Sequence, residues 1–264
     1  MTDRFGRTIS YLRISVTDRC NLRCLYCMPE DGVVMLAHDD VLRFEEIAEV
    51  TRCAVGMGVT KIRLTGGEPL VRRGVVTLVE MLAEIDGITD LAMTTNGILL
   101  ARFAEDLARA GLHRVNVSLD TTDPARYAEL TRGGDVGAVL AGIDAARRAG
   151  LTPIKLNCVV GPCNGDMERV RAYGREKGCQ VRAIRLMDFE TGRFSVVEGG
   201  TGGDCPRCNR LRLSADGRIR PCLFSDIAFD VRALGPAEAI RRAVDAKPEA
   251  GGPCSHNWMH GIGG

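Results

Sequence analysis

Cys20, Cys24 and Cys27 stand in a C-x3-C-x2-C pattern within eight residues of chain. Three thiolates on one tight loop can hold three corners of a cubane iron–sulfur cluster and leave its fourth iron open to substrate or cosubstrate. A zinc ion at this loop would want a fourth protein ligand, and none is well placed before Glu30. Cys205, Cys208 and Cys222 form a second set, C-x2-C-x13-C. It reads either as another three-thiolate cluster or as a structural zinc knuckle completed by His256 or Cys254. Eleven cysteines, an odd number, exclude a fully paired set of internal disulfides. The first residues lack an apolar signal core, so the expectation is a reducing, cytoplasmic setting in which clustered cysteines bind metal.

Two other groups of residues carry chemistry. Thr65-Gly66-Gly67-Glu68-Pro69 follows a strand-like run, where glycines allow close backbone approach and Glu68 can accept hydrogen bonds from an amino group. Arg13, Lys61, Arg63, Lys155 and Arg182 all fall on candidate strands that are otherwise largely apolar. Cations inside a sheet core need an anionic partner, and one polyphosphate satisfies five of them better than five separate acids. Arg210 and Arg212 alternate with Leu211 and Leu213, which predicts a strand with one cationic and one apolar face, followed by a hairpin turn at Asp216-Gly217.

The elements that must position these groups alternate. Candidate strands are Tyr11–Val16, Lys61–Leu64, Leu91–Thr94, Arg114–Ser118, Pro153–Val159 and Val181–Leu186. Amphipathic stretches at Phe44–Val55, Gly74–Ile85, Leu99–Ala110, Val136–Ala149 and Met167–Lys177 separate them. Six such units predict an α/β fold, an incomplete (β/α)6-type parallel barrel over residues 1–188, with ligands at the strand C-terminal ends. Residues 189–264 read as a Gly-rich linker, a small Cys-bearing module with one helix at Pro236–Ala246, and a tail ending Gly263-Gly264. A net charge of +1 argues against broad nucleic-acid binding, and no apolar run approaches the roughly 18 residues of a membrane helix. Cys53 and Cys158 read as buried thiols, and Cys163, Cys179 and Cys254 as incidental.

The Cys loop, with aromatic Tyr26 before its third cysteine and the Gly-Gly-Glu-Pro turn about forty residues later, resembles the radical S-adenosylmethionine (SAM) superfamily. The string Cys205 to Phe224 and the terminal Gly263-Gly264 narrow the resemblance to the GTP 3′,8-cyclase family of molybdenum cofactor biosynthesis. That resemblance implies two [4Fe-4S] clusters, on Cys20, Cys24 and Cys27 and on Cys205, Cys208 and Cys222. It implies SAM bound by Tyr26, Gly66, Gly67, Glu68, Ser118 and Met187. Arg13, Lys61, Arg63, Thr94 and Lys155 would contact GTP, with Arg210, Leu211 and Arg212 beside it, and Lys155 and Arg182 would join the first cysteine set in catalysis. The implied reaction, a lyase step, is reductive cleavage of SAM, hydrogen removal at ribose C3′ and closure onto guanine C8 to give 3′,8-cyclo-7,8-dihydro-GTP. An electron donor such as flavodoxin or ferredoxin and a downstream enzyme forming cyclic pyranopterin follow as partners. Only seventeen residues separate Met187 from Cys205, where the family carries several tens more. One side of the barrel is therefore expected to be thinly covered, closed by the tail or by a second subunit in a homodimer. The competing readings are a radical SAM paralogue modifying a peptide or another nucleotide, and a zinc-stabilised binding module.

Overall fold

The computed structural model describes residues 1–29, 31–161, 166–188, 191–192 and 194–254. Cys163, His256, Gly263 and Gly264 lie outside the described residues.

Six parallel strands form the main sheet: β1 (Tyr11–Ser15), β2 (Lys61–Thr65), β3 (Asp90–Thr95), β4 (Arg114–Ser118), β5 (Lys155–Val160) and β6 (Gln180–Arg185). They are ordered as in the sequence, an open barrel of the kind expected. The helices between them are α1 (Phe44–Gly56), α2 (Val75–Ala83), α3 (Leu100–Arg109), α4 (Pro124–Thr131), α5 (Val136–Arg148) and α6 (Met167–Lys177). On β1 to β5 one set of side chains, such as Leu12 and Ile14, Ile62 and Leu64, or Val115 and Val117, is buried in a common core with the helices. The alternate set is mostly polar and turns inward. Parallel sheets buried on both faces normally read as continuous apolar runs, so this period-two alternation marks an interior that holds something other than packed side chains. Helix α4 was not expected. Its signal was local, since the Asp123 carboxylate caps the Arg126 amide and Pro124 occupies the first turn.

The Cys-bearing unit joins this sheet directly. β7 (Arg210–Leu213) pairs parallel with the free edge of β1, Arg13 opposite Arg212, and Leu211 and Leu213 enter the same core as Leu12 and Ile14. β8 (Arg218–Arg220) returns antiparallel through a turn in which Gly217 has φ +85°, and β9 (Phe229–Asp230) ends the nine-stranded sheet. Two helices, α7 (Val231–Leu234) and α8 (Pro236–Asp245), follow, and Ile240, Ala243 and Val244 of α8 are buried in the common core.

The segment read as a linker also has a defined place. Val197 is buried, the Glu198 amide donates to the Ala183 carbonyl of β6 at 3.2 Å, and the Glu198 carboxylate pairs with Arg171 at 2.6 Å. The barrel side expected to be thinly covered therefore receives the chain's own residues 194–203. At the other end, Arg7 pairs with Asp3 and donates to the carbonyls of Cys205, Pro248 and Glu249, which ties the first residues to the second cysteine set. Among the described residues no helix is long and apolar enough to cross a membrane.

Candidate active site

The first cysteine loop leaves the C-terminal end of β1, and β2 grips it. The Gly67 amide donates to the Thr17 carbonyl at 2.7 Å and the Glu68 amide to the Arg19 carbonyl at 2.8 Å. A Cβ on Gly67 would lie 2.4 Å from the Arg19 carbonyl oxygen, and one on Gly66, at φ +154°, would lie 2.5 Å from that of Thr17. These glycines thus permit close approach to the cysteine loop itself, a more specific role than the ligand approach read from the sequence. Glu68 is buried and already engaged: its carboxylate accepts from the Leu70 amide, the Thr95 hydroxyl and the Asn96 amide at 2.6–3.0 Å. Burial pushes its pKa up to about 7 despite these bonds. Tyr26 donates to the buried Asp120 at 2.6 Å, and Asp120 accepts the Val159 amide at 2.7 Å, so the loop is braced against β5 as well.

The three thiols meet the chemistry of a cluster. Burial, then the neighbouring Cys27 and Asp120, pushes Cys24 up to about 12; burial and Cys20 push Cys27 up to about 11. Thiols held this close, each raising its neighbours, are ionised by binding a metal. Among the described residues no three His, Cys, Asp or Glu side chains converge as one metal ion would require.

Beyond the loop lies a cavity of about 470 Å³. Arg13, Lys61, Arg63, Arg114, Lys155, Arg182, Arg210 and Arg212 line it, as do Tyr26, Gly66, Gly67, Glu68, Thr94, Ser118 and Met187. The register explains the crowding, because Arg212, Arg13 and Arg63 form one row across β7, β1 and β2. Asp90 neutralises Arg114 through two bonds of 2.6 and 2.9 Å, whereas Lys61, Arg63 and Lys155 form no ion pair among the described residues. Burial and the mutual repulsion of this set depress it: Arg13 and Arg63 fall below the ordinary arginine range, and Lys155 falls to about 8 with Arg182 as its nearest cause after burial. Thr94 Oγ1, Asn157 Oδ1 and Arg63 Nε are buried there without hydrogen-bond partners. Such atoms are costly unless a ligand satisfies them, so the wall fits a polyanion with polar groups of its own.

The second cysteine set adjoins this cavity. Cys205, Cys208 and Cys222 line a smaller hollow of about 70 Å³, and Phe194, Arg210, Arg212 and Leu223 line both spaces. Lys247 is buried beside them. Burial raises the Cys208 thiol, but Lys247 and Arg210 outweigh it and leave that pKa below its ordinary value.

The Radical SAM superfamily profile matches residues 14–173. A GTP 3′,8-cyclase of Thermodesulfovibrio yellowstonii is 42% identical over 92% of this chain and 92% of its own length. One from Moorella thermoacetica is 42% identical over 99% of this chain and 96% of its own. The chain belongs to the GTP 3′,8-cyclase family of radical SAM proteins. Among solved structures, methylornithine synthase aligns at TM-score 0.55 with 20% identity, covering 69% of this chain and 55% of that one, a likeness of fold alone. The Thermodesulfovibrio match runs over 296 positions while this chain has 264 residues, so that family member carries several tens of positions this one lacks.

The expected cavity residues of this family member converge, with one exception. Leu211 has its side chain in the core on the far face of β7, because Arg210 and Arg212 take the inward positions. Sequence reasoning missed Arg114 with its partner Asp90, Asn157, Asp120 and Lys247. Arg114 and Asp90 each look like solvated strand ends, and only the pairing of β3 with β4 reveals them as a couple.

Proposed function

We propose that this chain converts GTP to 3′,8-cyclo-7,8-dihydro-GTP, the radical SAM step that opens molybdenum cofactor biosynthesis. One observation carries the reading: a row of inward cations lies between a three-cysteine set that lines the cavity and a second set whose hollow adjoins it through Phe194, Arg210, Arg212 and Leu223. Residues 1–188 would form the radical-generating barrel and residues 189–264 would carry the second cluster, with Phe194, Val197, Gly200, Thr201 and Gly202 lining the chamber. A cluster held by Cys20, Cys24 and Cys27 supplies, when bound, the electron that cleaves SAM. Gly66 and Gly67 keep that loop seated, and Tyr26, Glu68, Ser118 and Met187 line the space beside it for SAM. Arg13, Lys61, Arg63, Lys155 and Arg182 hold the triphosphate, and Thr94 takes a polar group of the nucleoside. Arg210 and Arg212 stand between the triphosphate and the second set, Cys205, Cys208 and Cys222, which would hold the guanine end. Phe194 and Val197 help keep water from the reacting carbon. The protein would act in the cytoplasm, with flavodoxin or ferredoxin as reductant and a pyranopterin-forming enzyme as consumer.

The test is anaerobic incubation with SAM, GTP and a reductant, followed by chromatographic separation of the nucleotides and mass analysis of each. A nucleotide of unchanged elemental composition but cyclised, formed with 5′-deoxyadenosine, is expected. Formation of 5′-deoxyadenosine with GTP recovered intact would overturn the substrate assignment.

A further inference from the structure

Lys247 lies just past α8 and is only 2% exposed. Its ammonium donates to the carbonyls of Arg210 and Pro221, both at 2.7 Å. Those carbonyls sit two residues after Cys208 and one before Cys222, so a single nitrogen bridges the two arms of the second cysteine set. Cys208 and Cys222 line the same hollow as this lysine. No carboxylate pairs with it among the described residues; the nearby cation, Arg7, is itself engaged by Asp3 and turned to the Cys205 carbonyl.

A buried ammonium on carbonyls alone is hydrogen-bonded but not neutralised, and such charges are costly unless an anion faces them. A lysine serving only to pack would extend its head to water. The anion that suits this site is whatever the three cysteines hold in the hollow they share with Lys247. We propose that Lys247 is a positioning residue for the second cluster, fixing the spacing between Cys208 and Cys222 and offsetting the cluster's negative charge. The proposal rests on the reading that these cysteines hold such a cluster. Its consequence is electrochemical: a fixed cation beside a cluster favours the reduced, more negative form, so the reduction potential is higher with Lys247 than without it.

The experiment uses anaerobically reconstituted chain in which Cys20, Cys24 and Cys27 are alanine, so that only the second cluster is seen. Iron and sulfide are counted, and the midpoint potential is read by titration followed with electron paramagnetic resonance. Lys247→Gln keeps amide donors for the two carbonyls and loses the charge; it should retain the iron but titrate at a lower potential than the parent. Lys247→Met loses both and should shed most of the iron. Lys247→Arg should restore the potential of the Gln variant toward the parent. Parental iron and parental potential in both Gln and Met variants would overturn the proposal. Should the Met variant fail to fold, the potential of the Gln variant alone decides. A parent carrying no iron in this background would instead remove the second-cluster reading, an outcome distinct because no variant is needed to see it.

Discussion

Arg13 on β1 and Arg63 on β2 are register partners, and both turn into the cavity. Like charges directly opposite on neighbouring strands destabilise a sheet, and Arg63 is further buried over the Tyr11 ring, 5.3 Å from its centroid. The free protein is therefore strained where it binds. Arg63→Met should raise the melting temperature of the nucleotide-free protein while weakening GTP about ten- to a hundredfold, the roughly 1.5–3 kcal/mol of one charge-assisted phosphate contact. Scanning fluorimetry and calorimetry read the two effects. Equal losses for guanosine and GTP would place Arg63 in fold maintenance instead.

Gly67→Ala tests the grip of β2 on the cysteine loop. Its new methyl would meet the Arg19 backbone, which cannot give way without moving the loop. The variant should keep its far-ultraviolet spectrum, lose the iron of the first cluster, about half the total, and cleave no SAM. Parental iron content would show that the loop tolerates displacement.

The pH dependence of nucleotide binding should follow Lys155. Its pKa in the folded protein is about 8, below the 10.5 of an ordinary lysine, because burial and Arg182 oppose its charge. Between those values the unfolded chain binds more protons than the folded one, so this group's contribution to stability rises with pH across the window. Triphosphate binding needs the charged form. The thermal shift given by GTP should therefore be largest below pH 8 and decline above it, and Lys155→Gln should flatten that decline. A shift that is constant from pH 7 to 9.5 in the parent contradicts the assignment.

Changing Cys205, Cys208 and Cys222 together to alanine should leave 5′-deoxyadenosine formation from SAM but abolish cyclised nucleotide. Cyclisation at the parental rate would make the second set structural only. In the parent, iron should approach about eight atoms per chain, two cubanes.

How far the sequence spoke depends on the range of the interaction. Arg13, Lys61, Arg63, Lys155 and Arg182 were legible because a cation among strand apolars breaks a short-period pattern. Hydrogen bonds linking distant segments were not. The β1–β7 pairing joins Tyr11 to Arg210, and no local preference encodes it. Lys247 looks like a surface lysine before a proline until α8 is packed. Residues 194–203 are Gly-rich and polar, which is also the composition of a flexible connector; what orders them is the unused edge of β6.

The pairing of β1 with β7 has a further meaning for how the molecule is made. Strand β1 precedes β7 by some two hundred residues, so one of its edges has no partner until β7 has emerged. Through that interval it is an exposed edge, open to pairing with other chains. Closing it is also the event that brings Arg212 beside Arg13 and draws Cys208 and Cys222 toward the chamber. Pairing β7 with β1 thus protects the sheet edge and assembles the second cysteine set in one event.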